Sequence, residues 1–145
     1  MIKYSNLKKE EIDEFREVLG KFDMLHDFNE KKVIEKYIAK YPDLVIVAKE
    51  DKKIIGTILG QGSGSILGSL WSIAVLEDYR GKGIGRILMK KMTERLVKKY
   101  KCLWVYLMVR DGNPAINLYK NIGFISDKMY SYGIWDENLE NFLKS

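Results

Sequence analysis

The stretch Trp71 to Met92, WSIAVLEDYRGKGIGRILMKKM, leaves few choices for how this chain can fold. Trp71 to Leu76 is an apolar, partly β-branched run of strand length. Leu76 to Tyr79 carries a turn, and Arg80-Gly81-Lys82-Gly83-Ile84-Gly85-Arg86 follows. From Ile84 the apolar residues return at helical spacing, at Ile84, Ile87, Leu88, Met92, Leu96 and Tyr100. The order is therefore strand, basic glycine loop, amphipathic helix. The first turn of a helix has backbone N–H groups with no partner inside it, and with the helix dipole these suit an anion, commonly a phosphate. Glycine lets the backbone approach such a ligand without a Cβ in the way. A tight turn that needs glycine for geometry alone reads the same way, and the loop by itself does not separate the two.

The rest of the chain supplies elements to pack around this junction. Ile2 to Tyr4 reads as a first strand, with Ser5 or Asn6 capping a helix whose inward residues are Ile12, Phe15, Val18 and Leu19 and which ends at Gly20. Phe22 to Phe28 is a loop. Asn29 caps a second helix with Val33, Ile34, Tyr37, Ile38 and Tyr41 on one face, stopped by Pro42. Leu44–Ala48 and Ile54–Leu59 form a hairpin about the polar Glu50–Lys53. The glycine-rich Gly60–Ser65 is a turn rather than a phosphate loop, because the strand Ile66–Val75, not a helix, follows it. After the long helix come a strand from Cys102 to Val109, a short helix from Pro114 ended by Gly123, and a strand from Phe124 to about Tyr130. A last strand near Ile134 and Trp135 and a helical turn over Glu137–Lys144 complete the chain.

Composition narrows the function classes. With 46% hydrophobic and 31% charged residues in 145, this is an ordinary globular chain of one-domain size. No apolar run reaches membrane-spanning length and no signal-peptide core stands at the N-terminus. One cysteine, Cys102, permits no internal disulfide, so the cytoplasm is expected. A net charge of +5 invites a nucleic-acid reading. The basic cluster, Lys90 to Lys101, falls on the polar face of the long helix with no interleaved aromatic stripe, so a solvated face is the simpler account.

Two segments carry a family resemblance. Arg80-x-x-Gly83-x-Gly85 after an apolar strand resembles the pyrophosphate-binding signature of the GNAT superfamily of acyl-CoA-dependent N-acyltransferases. Asn113-Pro-Ala115-Ile-Asn-Leu118-Tyr119-Lys-Asn-Ile-Gly123-Phe124 is similar to its second motif, Asn-x-x-Ala-x-x-Leu-Tyr-x-x-x-Gly-Phe. The order of elements agrees over nearly the whole chain, while specific residues match only in these two segments.

The resemblance implies one N-acetyltransferase domain over residues 1–145. Its fold class would be α/β, a mixed, mostly antiparallel sheet of about six to seven strands flanked by about four helices, with strands 4 and 5 splayed apart. Acetyl-CoA would be the co-substrate, its pantetheine arm beside Ile73, Ala74 and Val75 and its pyrophosphate on Arg80, Gly81, Lys82, Gly83, Ile84, Gly85 and Arg86. Asn113, Ile116 and Tyr119 would complete that site, with Tyr119 the catalytic acid that protonates the departing thiolate. A phenol with a pKa near 10 stays protonated for that task. The implied partners are acetyl-CoA and a primary amine, either a small molecule or a peptide. No metal, nucleic acid or membrane is called for, and a homodimer is left open.

The chain departs from the family in two places. Many members carry a glutamate on the fourth or fifth strand, and neither Ile66–Val75 nor Cys102–Val109 contains a carboxylate. The usual proline after the strand valine is replaced by Leu76-Glu77. The base is therefore unassigned, Ser72 with a water chain being one route and solvent another. The missing carboxylate also sustains a rival reading, a non-catalytic acyl-CoA-binding regulator or sensor. His26, the one histidine, reads as structural or merely exposed, and Cys102 has no base partner in sequence that would make it a nucleophile. Trp71, Trp104 and Trp135 read most simply as core, with Trp71 and Tyr130 or Tyr132 lining an acceptor pocket as the alternative. The acceptor would be chosen by Phe22–Asp27, the Gly60 turn and Asp127–Trp135, with Asp23 and Asp27 favouring a cation.

Overall fold

A computed structural model describes residues 1–25, 29–62, 64, 66–126 and 136–145. Residues 1–113 form one compact unit and residues 114–145 a second.

The first unit is a five-stranded sheet in the order β1-β2-β3-β4-β5. Its strands are β1 (Lys3–Asn6), β2 (Val45–Glu50), β3 (Lys53–Gln61), β4 (Leu67–Val75) and β5 (Trp104–Leu107). All neighbours are antiparallel except β4 and β5, which are parallel. The β2–β3 hairpin turns through Asp51 and Lys52, whose φ angles of 46° and 71° are those of a two-residue turn matched to strand twist. β3 is buried from Ile54 to Gly60, as befits the middle strand of a sheet covered by helices.

Three helices belong to this unit: α1 (Ile12–Gly20), α2 (Lys31–Lys40) and α3 (Ile84–Lys98). α3 packs on β3 and β4 through Ile84, Leu88, Met92 and Leu96. The approach is close: a Cβ at Gly60 would lie 2.4 Å from Met92 Sδ. α1 adds the fully buried Ile12, Phe15 and Leu19. In the second unit α4 (Ala115–Ile122) ends at Gly123 in the left-handed region, and α5 covers Asp136–Lys144.

Two features set β4 apart from the other strands. Leu59 pairs with Trp71 and Thr57 with Ala74, so Ser72 and Ile73 together oppose Ile58 in a bulge. Ser72 has φ 54°, and its carbonyl accepts a hydrogen bond from Thr57 Oγ1 at 2.7 Å. The second feature is divergence. Pairing with β5 stops at Leu70 and Leu107, while β4 runs on to Val75.

Several expectations are corrected. Five strands are present among the described residues rather than six to seven, and five α-helices rather than four. Residues 124–126 form no strand; the remainder of that expected strand, and the one near Ile134 and Trp135, lie outside the described residues. β5 is shorter than Cys102–Val109 because only four of its residues find partners on β4. β3 reaches Gln61, two residues into the glycine-rich stretch, because Gly60 and Gln61 still pair with Leu70 and Ser69. Asn29 does not cap α2, whose N-cap is Glu30; Asn29 is buried and its Nδ2 donates to Met24 O. Ser5 and Asn6 belong to β1, and a 3₁₀ turn over Lys9–Glu11 precedes α1. Val33 (41% exposed) and Ile87 (39%) lie at the margin of their helical stripes, and Trp104, on the terminal strand of this sheet, is 58% exposed.

The end of α3 is fastened to the α2–β2 connection through Asp43. Its carboxylate accepts from Tyr100 Oη at 2.5 Å and Lys99 Nζ at 2.6 Å, while Arg95 Nη1 donates to its carbonyl at 2.6 Å. Burial alone would raise the Asp43 carboxyl, but the Lys99 and Tyr100 hydrogen bonds outweigh it and hold the group below its usual 3.8. A folded value below the unfolded one stabilises above that pH, and the contribution is lost as pH falls through it. Asp43→Asn is expected to cost about 1–2 kcal/mol at pH 7, since Lys99 is exposed and its share is small. Melting curves from pH 7 to pH 3 test this, the gap between the two proteins narrowing as the wild-type carboxylate takes up its proton.

Candidate functional site

β4 delivers the chain to the start of α3 by a short, tied-down path. Leu76 N–H donates to Ile55 O at 2.9 Å, and a 3₁₀ turn over Glu77–Tyr79 follows. Tyr79 Oη donates to Glu50 Oε2 at 2.6 Å, which pins that turn to the β2–β3 hairpin. The Glu50 carboxylate in turn pushes the Tyr79 phenol up. Gly83 is the N-cap of α3 at φ 80°, a conformation that costs a side-chain-bearing residue energy.

The first rung of the α3 ladder is Ile87 N–H to Gly83 O at 3.1 Å. The N–H groups of Ile84, Gly85 and Arg86 therefore precede the ladder and have no carbonyl of the helix to bond. Ile84 buries its side chain, which fixes the first turn against the sheet. No acidic residue stands in that turn, and nothing lies within 4 Å of where a Cβ on Gly81 or Gly83 would be. Arg80 and Lys82 are held nearby, Arg80 with its guanidinium 5.2 Å from the Phe22 ring and Lys82 with its ammonium 5.2 Å from the Tyr79 ring. An open backbone and a helix dipole with two cations nearby are the features of a candidate anion site.

Immediately before it lies the unpaired end of β4. Because Leu76 N–H points at β3, strand alternation turns the backbone groups of Val75 to the other side, where β5 has already ended, while Ile73 belongs to the bulge itself. Arg80 Nε donates to Val75 O at 3.2 Å, so the strand and the glycine loop are joined directly. Ala74, between them, pairs with Thr57 and is buried. Ser72 Oγ is buried with no hydrogen-bond partner among the described residues.

The remaining expected site residues divide between the units. Asn113 closes the first, its N–H donating to Arg110 O at 3.2 Å. Ile116 and Tyr119 lie on α4 in the second unit, one turn apart on the helix. Burial pushes the Tyr119 phenol above its ordinary value, and its ring lies 6.4 Å from that of Phe124. Asp23 is exposed; His26, Asp27 and Asp127–Trp135 lie outside the described residues. No group of three or more metal-capable side chains occurs, and no helix is long and apolar enough to cross a membrane, among the described residues.

A feature not foreseen in the sequence is a cavity of about 390 Å³ on the sheet. Tyr37 of α2 and Tyr41, its C-cap, line it with Gln61, Leu67 and Ser69 of β3 and β4 and Tyr106 of β5. Tyr37 and Tyr41, four apart on a helix, give the same signal as two core aromatics. Only the register Gln61–Ser69–Tyr106 across three strands brings the remaining wall to them.

Comparison with known proteins identifies the family. A family model for the acetyltransferase (GNAT) family matches residues 6–124. An acetyltransferase of Pectobacterium atrosepticum is 31% identical over 117 residues, covering 77% of this chain and 82% of the relative. An N-alpha-acetyltransferase of Sulfurisphaera tokodaii is 36% identical over 100 residues, covering 61% of this chain and 60% of that one. Among solved structures, a chain of the NatC complex bound to Gag peptide and CoA superposes with a TM-score of 0.74 at 24% identity, covering 88% of this chain and 86% of that one.

Proposed function

The chain belongs to the GNAT acetyltransferase family, and from that premise we propose that residues 1–145 act as one domain that moves the acetyl group of acetyl-CoA to a primary amine. The observation that carries this reading is a continuity along the chain. The end of β4 that β5 leaves unpaired runs through Arg80 straight into the open first turn of α3.

The residues fit the co-substrate. Its pyrophosphate suits the N–H groups of Ile84, Gly85 and Arg86, reached past Gly81 and Gly83, with Arg80 and Lys82 adding charge. Its pantetheine amides suit the backbone of Ile73 and Val75, as an added strand would. From the second sequence motif, Asn113 and Ile116 are proposed as further co-substrate contacts. The reaction joins the amine nitrogen to the acetyl carbonyl carbon and breaks that carbon's bond to sulfur. The amine's proton passes to water, with the Ser72 hydroxyl as a polar group beside the bulge, and Tyr119 gives a proton to the departing thiolate. A backbone N–H of the bulged strand polarises the carbonyl. Most of the rate comes from holding amine and thioester together.

The acceptor is a small amine or a peptide amine; the NatC relative is bound to a peptide as well as CoA. The cytoplasm, which holds acetyl-CoA, is the compartment proposed for this activity. A release assay for coenzyme A thiol, corrected for hydrolysis, over amines, polyamines, amino acids and peptides tests the proposal. Thiol release that depends on an amine is expected. Saturable acetyl-CoA binding without amine-dependent release would instead support a regulator, the reading to which the carboxylate-free β4 and β5 give room.

A further inference from the structure

The cavity beside Tyr37, Tyr41 and Tyr106 has no part in the co-substrate site. It lies on the sheet face away from α3: Gly68 faces Leu96 of α3, so its neighbours Leu67 and Ser69 point to the opposite side. Gln61, Ser69 and Tyr106 are cross-strand partners and form one row over the floor. Trp71, two residues beyond Ser69 and on the same face, donates from Nε1 to Ser69 Oγ at 2.7 Å and carries the floor towards the bulge. Ser72 lies three residue steps along the strand from Ser69, roughly 10 Å.

The chemistry of the wall is narrow. Among the described residues, no Asp, Glu, Lys or Arg lines the cavity. The Tyr37 and Tyr41 rings meet at 5.2 Å and 58°, forming an aromatic corner. Tyr37 Oη is committed to Gly60 O at 2.5 Å, and burial pushes its phenol up, so it stays neutral. Lys40 already sits 5.3 Å from the Tyr41 ring, which disfavours a second cation there. Such walls suit the face and edge of an uncharged ring, and the volume is at the small end for ligand pockets, enough for one ring system.

Resting on the acetyl-transfer reading, we infer that this cavity is an acceptor subsite that takes an aromatic ring carried a few bonds from the reacting amine. An arylalkylamine supplies that ring, and so does a peptide N-terminus followed by an aromatic residue. The polar groups at the rim, the Gln61 amide and the Ser69 hydroxyl, serve either. A polyamine such as spermidine has no ring to place and brings charge the walls do not answer.

Paired probes test this. 2-Phenylethylamine is compared with n-butylamine, and the peptide Ser-Phe-Gly-Gly with Ser-Ala-Gly-Gly, each by thiol release and by quenching of protein fluorescence in the presence of coenzyme A. In at least one pair the aromatic member is expected to be favoured about tenfold or more in kcat/KM and in binding, and the pair that responds identifies the source. Tyr106→Ala should abolish most of that ratio and Tyr106→Phe should keep it. Tyr106 is 42% exposed, and Tyr41→Leu serves as a second variant should Tyr106→Ala not fold. Equal use of both members in both pairs, preference for spermidine, or a ratio unchanged in Tyr106→Ala and Tyr41→Leu would overturn the inference while leaving acetyl transfer standing. Ring binding lost in Tyr106→Ala, in a protein that transfers acetyl to no amine, would uphold the subsite and reject the transfer.

Discussion

Tyr119→Phe is expected to lower turnover by roughly 10²–10⁴, the usual contribution of a positioned proton donor. The change keeps the ring, its contact with Phe124 and the packing of α4, and removes one hydroxyl. Acetyl-CoA affinity should move by less than about 1.5 kcal/mol, the net worth of one neutral hydrogen bond. Burial raises the Tyr119 phenol, so the acid keeps its proton at neutral pH. The acid-dependent step in the wild type is therefore expected to hold up until the pH passes 10, the ordinary tyrosine value. If Tyr119 were only a packing residue, melting temperature would fall and turnover would be retained. Measuring kcat, acetyl-CoA affinity and melting temperature on one pair of proteins separates these outcomes. Full activity in Tyr119→Phe would leave thiolate protonation to water.

Gly83→Asp acts at the other end of the co-substrate. The Cβ enters open space, so the loop has room for the side chain. The φ of 80° is one that Asp and Asn tolerate better than most residues, at a cost of about 1 kcal/mol. What changes is charge: a carboxylate stands where the N–H groups of Ile84, Gly85 and Arg86 would meet a pyrophosphate. Losing one or two charge-assisted hydrogen bonds at about 1.5–3 kcal/mol each predicts a fall in affinity between about tenfold and about 10⁴-fold. Gly83→Asn carries the same backbone strain without the charge and should fall much less. Calorimetry on the three folded proteins decides it. Equal affinity for acetyl-CoA in all three would remove this loop from the binding site.

The parts of this molecule legible in the sequence are those fixed by neighbours along the chain. Gly83 between basic residues, ahead of a 3.6-period stripe, announces the α3 N-terminus because loop and helix are contiguous. Ile84, Leu88, Met92 and Leu96 are buried as their spacing requires, and the β2–β3 hairpin turns where polar residues interrupt two apolar runs. What the sequence does not reveal depends on partners far away in the chain. The bulge at Ser72 arises from registry with Thr57 and Leu59 and is held by the Thr57 hydroxyl, and nothing in Trp71-Ser72-Ile73 signals a left-handed φ. The cavity is hidden for the same reason: Tyr37, Ser69 and Tyr106 come together only when α2 is laid over the sheet. Asn29 shows the opposite error. Its type and position suit a cap, but a buried bond to Met24 O claims the side chain instead.

The central claim, that the strand–loop–helix junction holds acetyl-CoA, is tested most directly by amide NMR of the ¹⁵N-labelled protein titrated with acetyl-CoA. The largest shifts are expected at Gly81, Gly83, Ile84, Gly85 and Arg86, where the pyrophosphate meets the open first turn, with a second set at Ile73 and Val75. Saturating shifts confined to other parts of the sheet, with these seven amides unmoved, would contradict the account.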